Sequence, residues 1–373
     1  MRYIKPDYYD NFKCVADKCP DTCCAGWQIM IDEESLERYS AVKGDFGKCL
    51  INSIDWQEGC FLQKDKRCAF LNEHNLCDLY TALGSDALCN TCKNYPRHVE
   101  EYEGLRELSL SLSCPIAAEM ILSRENNSTF VENEDEKEEE PAEEFEDFDF
   151  MMFTQLEDAR QLVMKHLREE KCALEEKMYC YLGFAREMQE RIEREAYCEI
   201  DDVIRDAEEK GLNKYRERNS EKETRFHHRN SLLGHMIELE RLREEWTEVL
   251  EELQETLYGD GEDAYNAKVE KFEQYLQEEP DGYHQWENIG RQLFVFFLYT
   301  YFCGAVYDDW IYSKMKLAVE SVRFIRELYM SRWIMTGKLA QKDYVELAYR
   351  YAREIEHSDL NLNTLEELFM ENF

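Results

Sequence analysis

At 373 residues, of which 44% are apolar, the chain is long enough for two domains with real cores, which excludes an intrinsically disordered protein. Its 81 acidic residues against 45 basic ones give a formal net charge of −36. Phosphate backbones and anionic membrane surfaces are repelled by such a surface, so nucleic acid is excluded as a partner. A cationic substrate or cofactor is attracted, although a strongly solvated surface explains the same charge.

Eleven of the fifteen cysteines lie in the first 114 residues, and eight of them form one compressed pattern: Cys14, Cys19, Cys23, Cys24, Cys68, Cys77, Cys89 and Cys92. No charged start with an apolar core precedes them, which predicts a cytoplasmic chain whose thiols stay reduced. Closely spaced thiols in a reducing compartment read as metal ligands rather than as disulfides. Four residues separate Cys14 from Cys19, three separate Cys19 from Cys23, and Cys89-Asn-Thr-Cys92 is the one tight pair. Zinc favours two tight pairs in a closed tetrahedral site, whereas a cubane cluster accepts irregular spacings. The pattern therefore leans towards iron–sulfur and leaves zinc as the alternative. A metal that only holds a small domain together explains the same cysteines.

The apolar pieces of residues 1–125, such as Trp27-Gln-Ile-Met-Ile31, Cys68-Ala-Phe-Leu71 and Leu108-Ser-Leu-Ser-Leu112, are short and interrupted by Gly, Asn and Asp. They predict a small irregular domain organised around its metal. Residues 126–149 are too acidic and too poor in apolar side chains to pack, and read as a solvated linker.

From residue 150 onward the periodicity is helical. Phe153, Leu156, Ala159, Val163 and Leu167 mark one buried face. Ser220 with Glu223 has the pattern of a capping box, and Leu239, Leu242, Trp246, Val249 and Leu253 continue at three- and four-residue spacing as core. Pro280-Asp-Gly282 is a break, after which an apolar helix runs from Trp286 towards Tyr307, and two amphipathic segments fill the remainder. The continuous apolar run, Leu293 to Tyr307, falls short of the ~20 residues that span a bilayer. It predicts a buried helix and no transmembrane segment. Peripheral membrane association stays open, with no flanking basic cluster to support it. The fold class expected is mainly α: a cysteine-rich metal- or Fe–S-binding domain (1–125), an acidic linker (126–149) and an all-helical domain (150–373).

Several of these motifs together resemble the flagellin lysine-N-methylase family, within the wider group of cysteine-cluster proteins. They are Cys14, Cys19-Pro-Asp-Thr-Cys-Cys24 with Gly26-Trp27, Cys68-Ala-Phe-Leu71, Leu76-Cys77-Asp-Leu-Tyr80, Leu83-Gly84, Leu88-Cys89-Asn-Thr-Cys92, Tyr95-Pro-Arg97 and Ser113-Cys114-Pro115. The likeness is dense over residues 1–120 and weaker beyond, where Glu287-Asn288 and the apolar helix behind it are similar. It implies an S-adenosylmethionine-dependent enzyme that methylates flagellin lysine ε-amino groups before export, with a [4Fe-4S] cluster held by the cysteines and needed for transfer.

The residues themselves offer no strand followed by Gly-x-Gly-x-x-Gly and no compact radical-enzyme cysteine run, so neither a nucleotide-fold methyltransferase nor a conventional radical enzyme is indicated. A polar transfer needs a deprotonated lysine and a water-excluding channel, with acidic or tyrosine side chains beside the sulfonium. A redox-active cluster opens a radical route instead. No catalytic residue stands out. Arg97 is a candidate to grip the cofactor carboxylate, or else local carbonyls and cluster sulfurs; Trp27 is a candidate to stack on adenine or sulfonium, or else a core residue. His74 and His98 are potential extra ligands, and His227-His228 reads as solvated. Cys172, Cys180, Cys198 and Cys303 read as buried or free thiols. The rival to an enzyme is a non-catalytic zinc- or iron-binding module for protein interaction. An electron-transfer protein is a third reading.

Overall fold

In the computed structural model, which describes residues 1–125, 128–135, 148–169, 172–216, 225–280 and 282–371, the chain opens on strand β1 (Arg2–Pro6) before it reaches the cysteines. The cysteine-rich stretch then runs through short pieces. Helices α1 (Glu33–Ala41) and α2 (Gly44–Asn52) precede two small ladders, β2 (Ile54–Asp55) with β3 (Cys60–Phe61) and β4 (Gln63–Lys64) with β5 (Arg67–Cys68). Helices α3 (Asp78–Leu83) and α4 (Asn90–Asn94) follow. Asp32 caps α1 by accepting the Ser35 N–H at 3.0 Å, a bond worth about 1 kcal/mol. This stretch has its own small core, in which Ile29, Ile31, Tyr39, Leu50, Phe61 and Phe70 are buried.

The chain then returns to β1. Strands β6 (Arg97–Tyr102) and β7 (Leu105–Leu110) form a hairpin, β7 runs parallel to β1, and β8 (Phe130–Glu134) pairs antiparallel with the other edge of β1. The order is β6-β7-β1-β8. Leu108-Ser-Leu110, the first part of a piece read above as irregular, thus closes the interior strand β7, while Ser111 and Leu112 follow it. Phe130–Glu134 lies inside the stretch expected to be solvated linker. Its side chains are mostly exposed, as the composition required, while its backbone satisfies itself on β1. Residues 136–147, the most acidic part of that stretch, lie outside the described residues. Helix α5 (Pro115–Leu122) starts with proline in its first turn, where no amide hydrogen is needed.

The remainder is helical: α6 (Phe150–Glu169), α7 (Leu174–Glu193), α8 (Ile200–Lys210), α9 (Arg225–Glu238), α10 (Glu244–Leu253), α11 (Glu262–Glu278), α12 (Gly282–Tyr301), α13 (Ile311–Thr336), α14 (Gln341–Glu356) and α15 (Asp359–Met370). The stripe from Phe153 to Leu167 is buried as its spacing predicts. The second stripe does not belong to continuous helix: Leu239 and Leu242 lie between α9 and α10, where the Glu354 carboxylate takes the Leu242 and Arg243 N–H groups, both at 3.0 Å. The Ser220–Glu223 capping pattern lies outside the described residues.

Three helices, not two segments, follow the apolar one, and the first of them, α13, is buried on every side from Ile311 to Ile325. A helix apolar or ion-paired all round sits at the centre of a bundle, and α13 packs on α7, α12, α14 and α15. Gly282–Val306, longer than its apolar run suggested, is the one helical segment among the described residues long and apolar enough to cross a membrane. It is largely buried by the rest of the chain. The main core joins Tyr8, Phe12, Tyr102, Leu110 and Ala117 to residues of α6, α7, α12 and α13. The sheet and α5 therefore pack with the helices, and the small separate core spans Ile29 to Cys89.

Candidate functional site

The fold makes neighbours, pair by pair, of the eight predicted cysteines from separate pieces of chain. Cys24 O accepts the Cys68 N–H at 2.9 Å, which lays the Cys23-Cys24 loop beside β5, and a bridge between Leu71 and Cys77 carries Cys77 alongside. The Cys23 and Cys24 sulfurs stand 4.0 Å apart. Helix α4 presents Cys92 one turn after Cys89, and these two thiols hydrogen-bond to each other. Cys92 also lies in the field of Cys24 and Cys68, Cys68 in that of Cys77 and Cys23, and Cys19 in that of Cys14 and Cys23. Cys114, at the entry to α5, joins beside Cys19 and Cys23, which the spacing along the chain did not reveal. Cys49 and Cys60 stay outside: Cys60 accepts from Gln28 Nε2 at 3.0 Å, and Cys49 faces Ser53.

All fifteen cysteines are free thiols. Burial is the main force raising Cys19, Cys77, Cys68 (to about 11) and Cys114 (to about 11), with neighbouring sulfurs adding to it. Cys92 is pushed up chiefly by its hydrogen bond with Cys89, which the same bond holds low. Gathered thiols that resist ionisation are the donor chemistry a soft cation relieves, because only thiolates ligate metal. Among the described residues no three His, Cys, Asp or Glu side chains stand close enough to cage one metal ion. The donor chemistry fits an iron–sulfur cluster or soft metal, while the sulfurs as placed do not form a closed single-ion site.

Against the Cys89–Cys92 helix opens a cleft of about 690 Å³, lined on one wall by Trp27, Asn90, Thr91 and Tyr95 to His98, and on the other by α12, α13, α14 and α15. Five carboxylates line it (Glu100, Asp308, Glu356, Asp359 and Glu366) against two side chains of fixed positive charge, Arg97 and Lys314. Lys314 is held by Asp308 and Glu366, at 2.8 and 2.6 Å. Tyr95, Tyr301, Tyr307 and Trp27 supply aromatic faces. A cleft rich in carboxylates and π-faces suits a cationic occupant.

At its floor runs a chain of hydrogen bonds. Ser111 Oγ donates to Glu356 Oε2 and meets Ser113 Oγ, which lies 3.0 Å from Tyr95 OH and 2.9 Å from His357 Nε2. Ser113 N–H reaches the same Glu356 oxygen at 3.4 Å. Glu356 Oε1, shielded from water, has no hydrogen-bond partner among the described residues. Burial raises the Glu356 carboxyl to about 7 despite these donors, and burial lowers His357 to about 3, helped by Arg353 and Arg243. His98 donates to or accepts from Glu100 at 2.5 Å, and this bond overcomes burial to raise its pKa.

Asp21, in the middle of the cysteine loop, ties that loop to the helices. It accepts from Arg243 Nη2 at 2.7 Å and from Arg353 Nη1, while Arg353 Nε donates to Ser113 O at 2.9 Å. Burial works to raise the Asp21 carboxyl, and the two guanidinium groups overcome it and hold it below its usual range.

Trp27 and Arg97 both reach the cleft. Trp27 donates to Cys23 O at 2.7 Å, packs on the small core and stacks on His357. The Arg97 guanidinium lies over the Phe12 and Tyr9 rings, at 5.3 and 5.9 Å. His98 lines the cleft, whereas His74 is exposed beside Glu73 and outside the cleft lining. His228 is not solvated: it lies 3.3 Å from the buried Glu320. Cys180 and Cys303 are buried, Cys172 half-buried and Cys198 exposed. Glu356, His357 and Ser111 were missed by sequence reading. The signal available for them was the period-two serines of Leu108-Ser-Leu-Ser-Leu-Ser113 and a Glu-His pair closing a helical pattern.

Residues 160–373 match the family model described as the FliB lysine N-methylase C-terminal domain. The flagellar biosynthetic protein FliU of Salmonella muenchen is 30% identical over 128 residues, 32% of this chain and 76% of that protein. The lysine-N-methylases of Salmonella choleraesuis and Salmonella typhimurium are also 30% identical over 128 residues, a stretch that covers 32% of this chain and 32% of each relative. The match thus spans about a third of the length of those two lysine-N-methylases. No solved structure is significantly similar.

Proposed function

The chain belongs to the FliB lysine N-methylase family, and on that premise we propose that it methylates lysine ε-amino groups of flagellin in the cytoplasm, with S-adenosylmethionine as donor. The observation that carries this reading is the acidic, aromatic cleft set directly against the cysteine group, since both a sulfonium and a lysine ammonium are cations. Carboxylates at the mouth draw a lysine side chain in, and Tyr301 and Tyr307 give its methylenes an apolar wall. Trp27 and Arg97 are the donor's contacts in this reading, the ring against the sulfonium or adenine and the guanidinium near the carboxylate.

Four thiols from among Cys14, Cys19, Cys23, Cys24, Cys68, Cys77, Cys89 and Cys92 would hold a [4Fe-4S] cluster, the remaining four being enough for a second metal site, and such a cluster would supply a redox-active centre beside the cleft. Its test is iron, sulfide and zinc analysis of protein purified without oxygen, with electron paramagnetic resonance spectra taken before and after S-adenosylmethionine is added. Iron with matching sulfide and a spectrum altered by the donor supports the reading. Zinc alone, with no response to the donor, favours a non-catalytic metal-binding module.

A further inference from the structure

A lysine ε-ammonium has no lone pair, so a cleft that alkylates it must first take a proton from it. Three features single out one group on the cleft wall for that task. Glu356 is the last residue of α14 and lines the cleft, so its carboxyl is held at a fixed helix end. Its Oε2 is occupied by Ser111 Oγ and the Ser113 N–H, the Leu112 amide also acts on the carboxyl, and Oε1 is shielded from water with no hydrogen bond of normal geometry among the described residues. Behind Oε2, Ser111, Ser113, His357 and Tyr95 are joined in one hydrogen-bonded chain, and Ser111, His357 and Tyr95 themselves border the cleft.

We propose that Glu356 is the proton acceptor of the cleft: its carboxylate, on the cleft wall, pairs with the substrate's ε-ammonium and takes one of the three protons. The proposal rests on the methylase reading and deepens it. In the step, an Nζ–H bond breaks and its electron pair stays on nitrogen as the lone pair; that pair forms the N–C bond as the S–CH3 bond of the sulfonium donor breaks, and the S–C electrons leave on the thioether sulfur. An O–H bond forms on Glu356, and the proton passes to the water of the cleft once the product leaves.

The other charged or titratable groups that face Glu356 are His98 and Glu100 from β6, Tyr301 from α12, and Arg353 and His357 on its own helix and just beyond it. Cys114 lies at the start of α5, while Lys314 of α13 and Glu366 of α15 neutralise each other. Arg353 is engaged by Asp21, and His357 stays neutral, so the cation of fixed charge nearest to this carboxyl along its helix is already paired.

The experiment compares wild-type protein with Glu356→Gln, which keeps the shape and the bonds from serine but accepts no proton. Two readouts are taken: the pH dependence of methyl transfer to a lysine peptide, and calorimetric binding of n-butylammonium to protein without donor. The proposal expects Glu356→Gln to lose about a hundredfold in rate at neutral pH and to recover as pH approaches the lysine's own pKa. It expects n-butylammonium affinity to fall about tenfold. Equal rates with the same pH profile overturn it, as does equal n-butylammonium binding by the two proteins. Wild-type protein that methylates no peptide contradicts the methylase reading instead, and the binding comparison then decides the role of Glu356 alone.

Discussion

The Trp27 indole stacks on the His357 imidazole, with ring centroids 4.6 Å apart and planes inclined by 23°. This contact joins the cysteine loop to the residue that follows α14. Trp27 also donates to Cys23 O, and His357 Nε2 meets Ser113, so one ring pair connects the sulfurs to the hydrogen-bond chain at the cleft floor. Trp27→Ala removes both links. It is expected to destabilise the fold by about 2 kcal/mol, read in urea, and to depress methyl transfer more than the loss of folded protein explains.

Asp21 makes the second joint between the two parts. Asp21→Asn leaves the Arg353 and Arg243 guanidiniums facing each other in a buried place with no anion between them. The expected cost is about 3 kcal/mol in chemical denaturation. Asp21→Asn combined with Arg353→Met is expected to recover part of that loss, since the uncompensated charge goes with the arginine.

Stability at high pH follows from Glu356. Its folded-state pKa of about 7 lies above that of an unfolded carboxyl, so the folded chain holds a proton that the unfolded chain has released. Its contribution is therefore fully present below the unfolded value near 4.5 and is lost as pH rises through 7. Relative to Glu356→Gln, wild-type protein should lose up to about 3 kcal/mol between those limits. His357 has the opposite sense: its pKa of about 3 makes stability fall as pH drops from 6.5 towards 3. Melting temperatures of both proteins across pH 4 to 8 measure the difference.

Gly26 precedes Trp27 at a φ of +93°, and a Cβ there would meet Arg243 Cδ at 2.8 Å. Gly26→Ala therefore strains the backbone and pushes on the arginine that holds Asp21. A loss of about 2 kcal/mol is expected, together with weaker retention of iron or zinc by the cysteine loop.

Metal content discriminates among the thiols. Cys24→Ser, Cys68→Ser and Cys92→Ser, drawn from the gathered group, are expected to lose most of the bound metal in elemental analysis. Cys49→Ser, outside that group, is expected to keep it.

Much of the helical part was legible because burial there follows one period: Phe153, Leu156, Ala159, Val163 and Leu167 are all buried as spaced. The stripe through Leu239 and Leu242 misled because those residues are buried without being helical, the Leu239 amide donating to His235 O and the Leu242 amide to Glu354, 112 residues away. Acidic composition hid β8, since an edge strand needs only its backbone to pair. The gathering of cysteines followed from their density, but which thiols are neighbours depends on loops that bring Cys24 to Cys68 and Cys114 to Cys19. The cleft floor was illegible for the same reason: Ser111 and Glu356 meet across a separation of 245 residues, and no local pattern announces that pairing.

The most direct measurement is peptide mass spectrometry of flagellin after incubation with S-adenosylmethionine and protein purified without oxygen. Methyl groups on flagellin lysines, absent when the donor is omitted, are the predicted result. Unmodified lysines, from protein that carries its full metal content and binds the donor, would contradict the account.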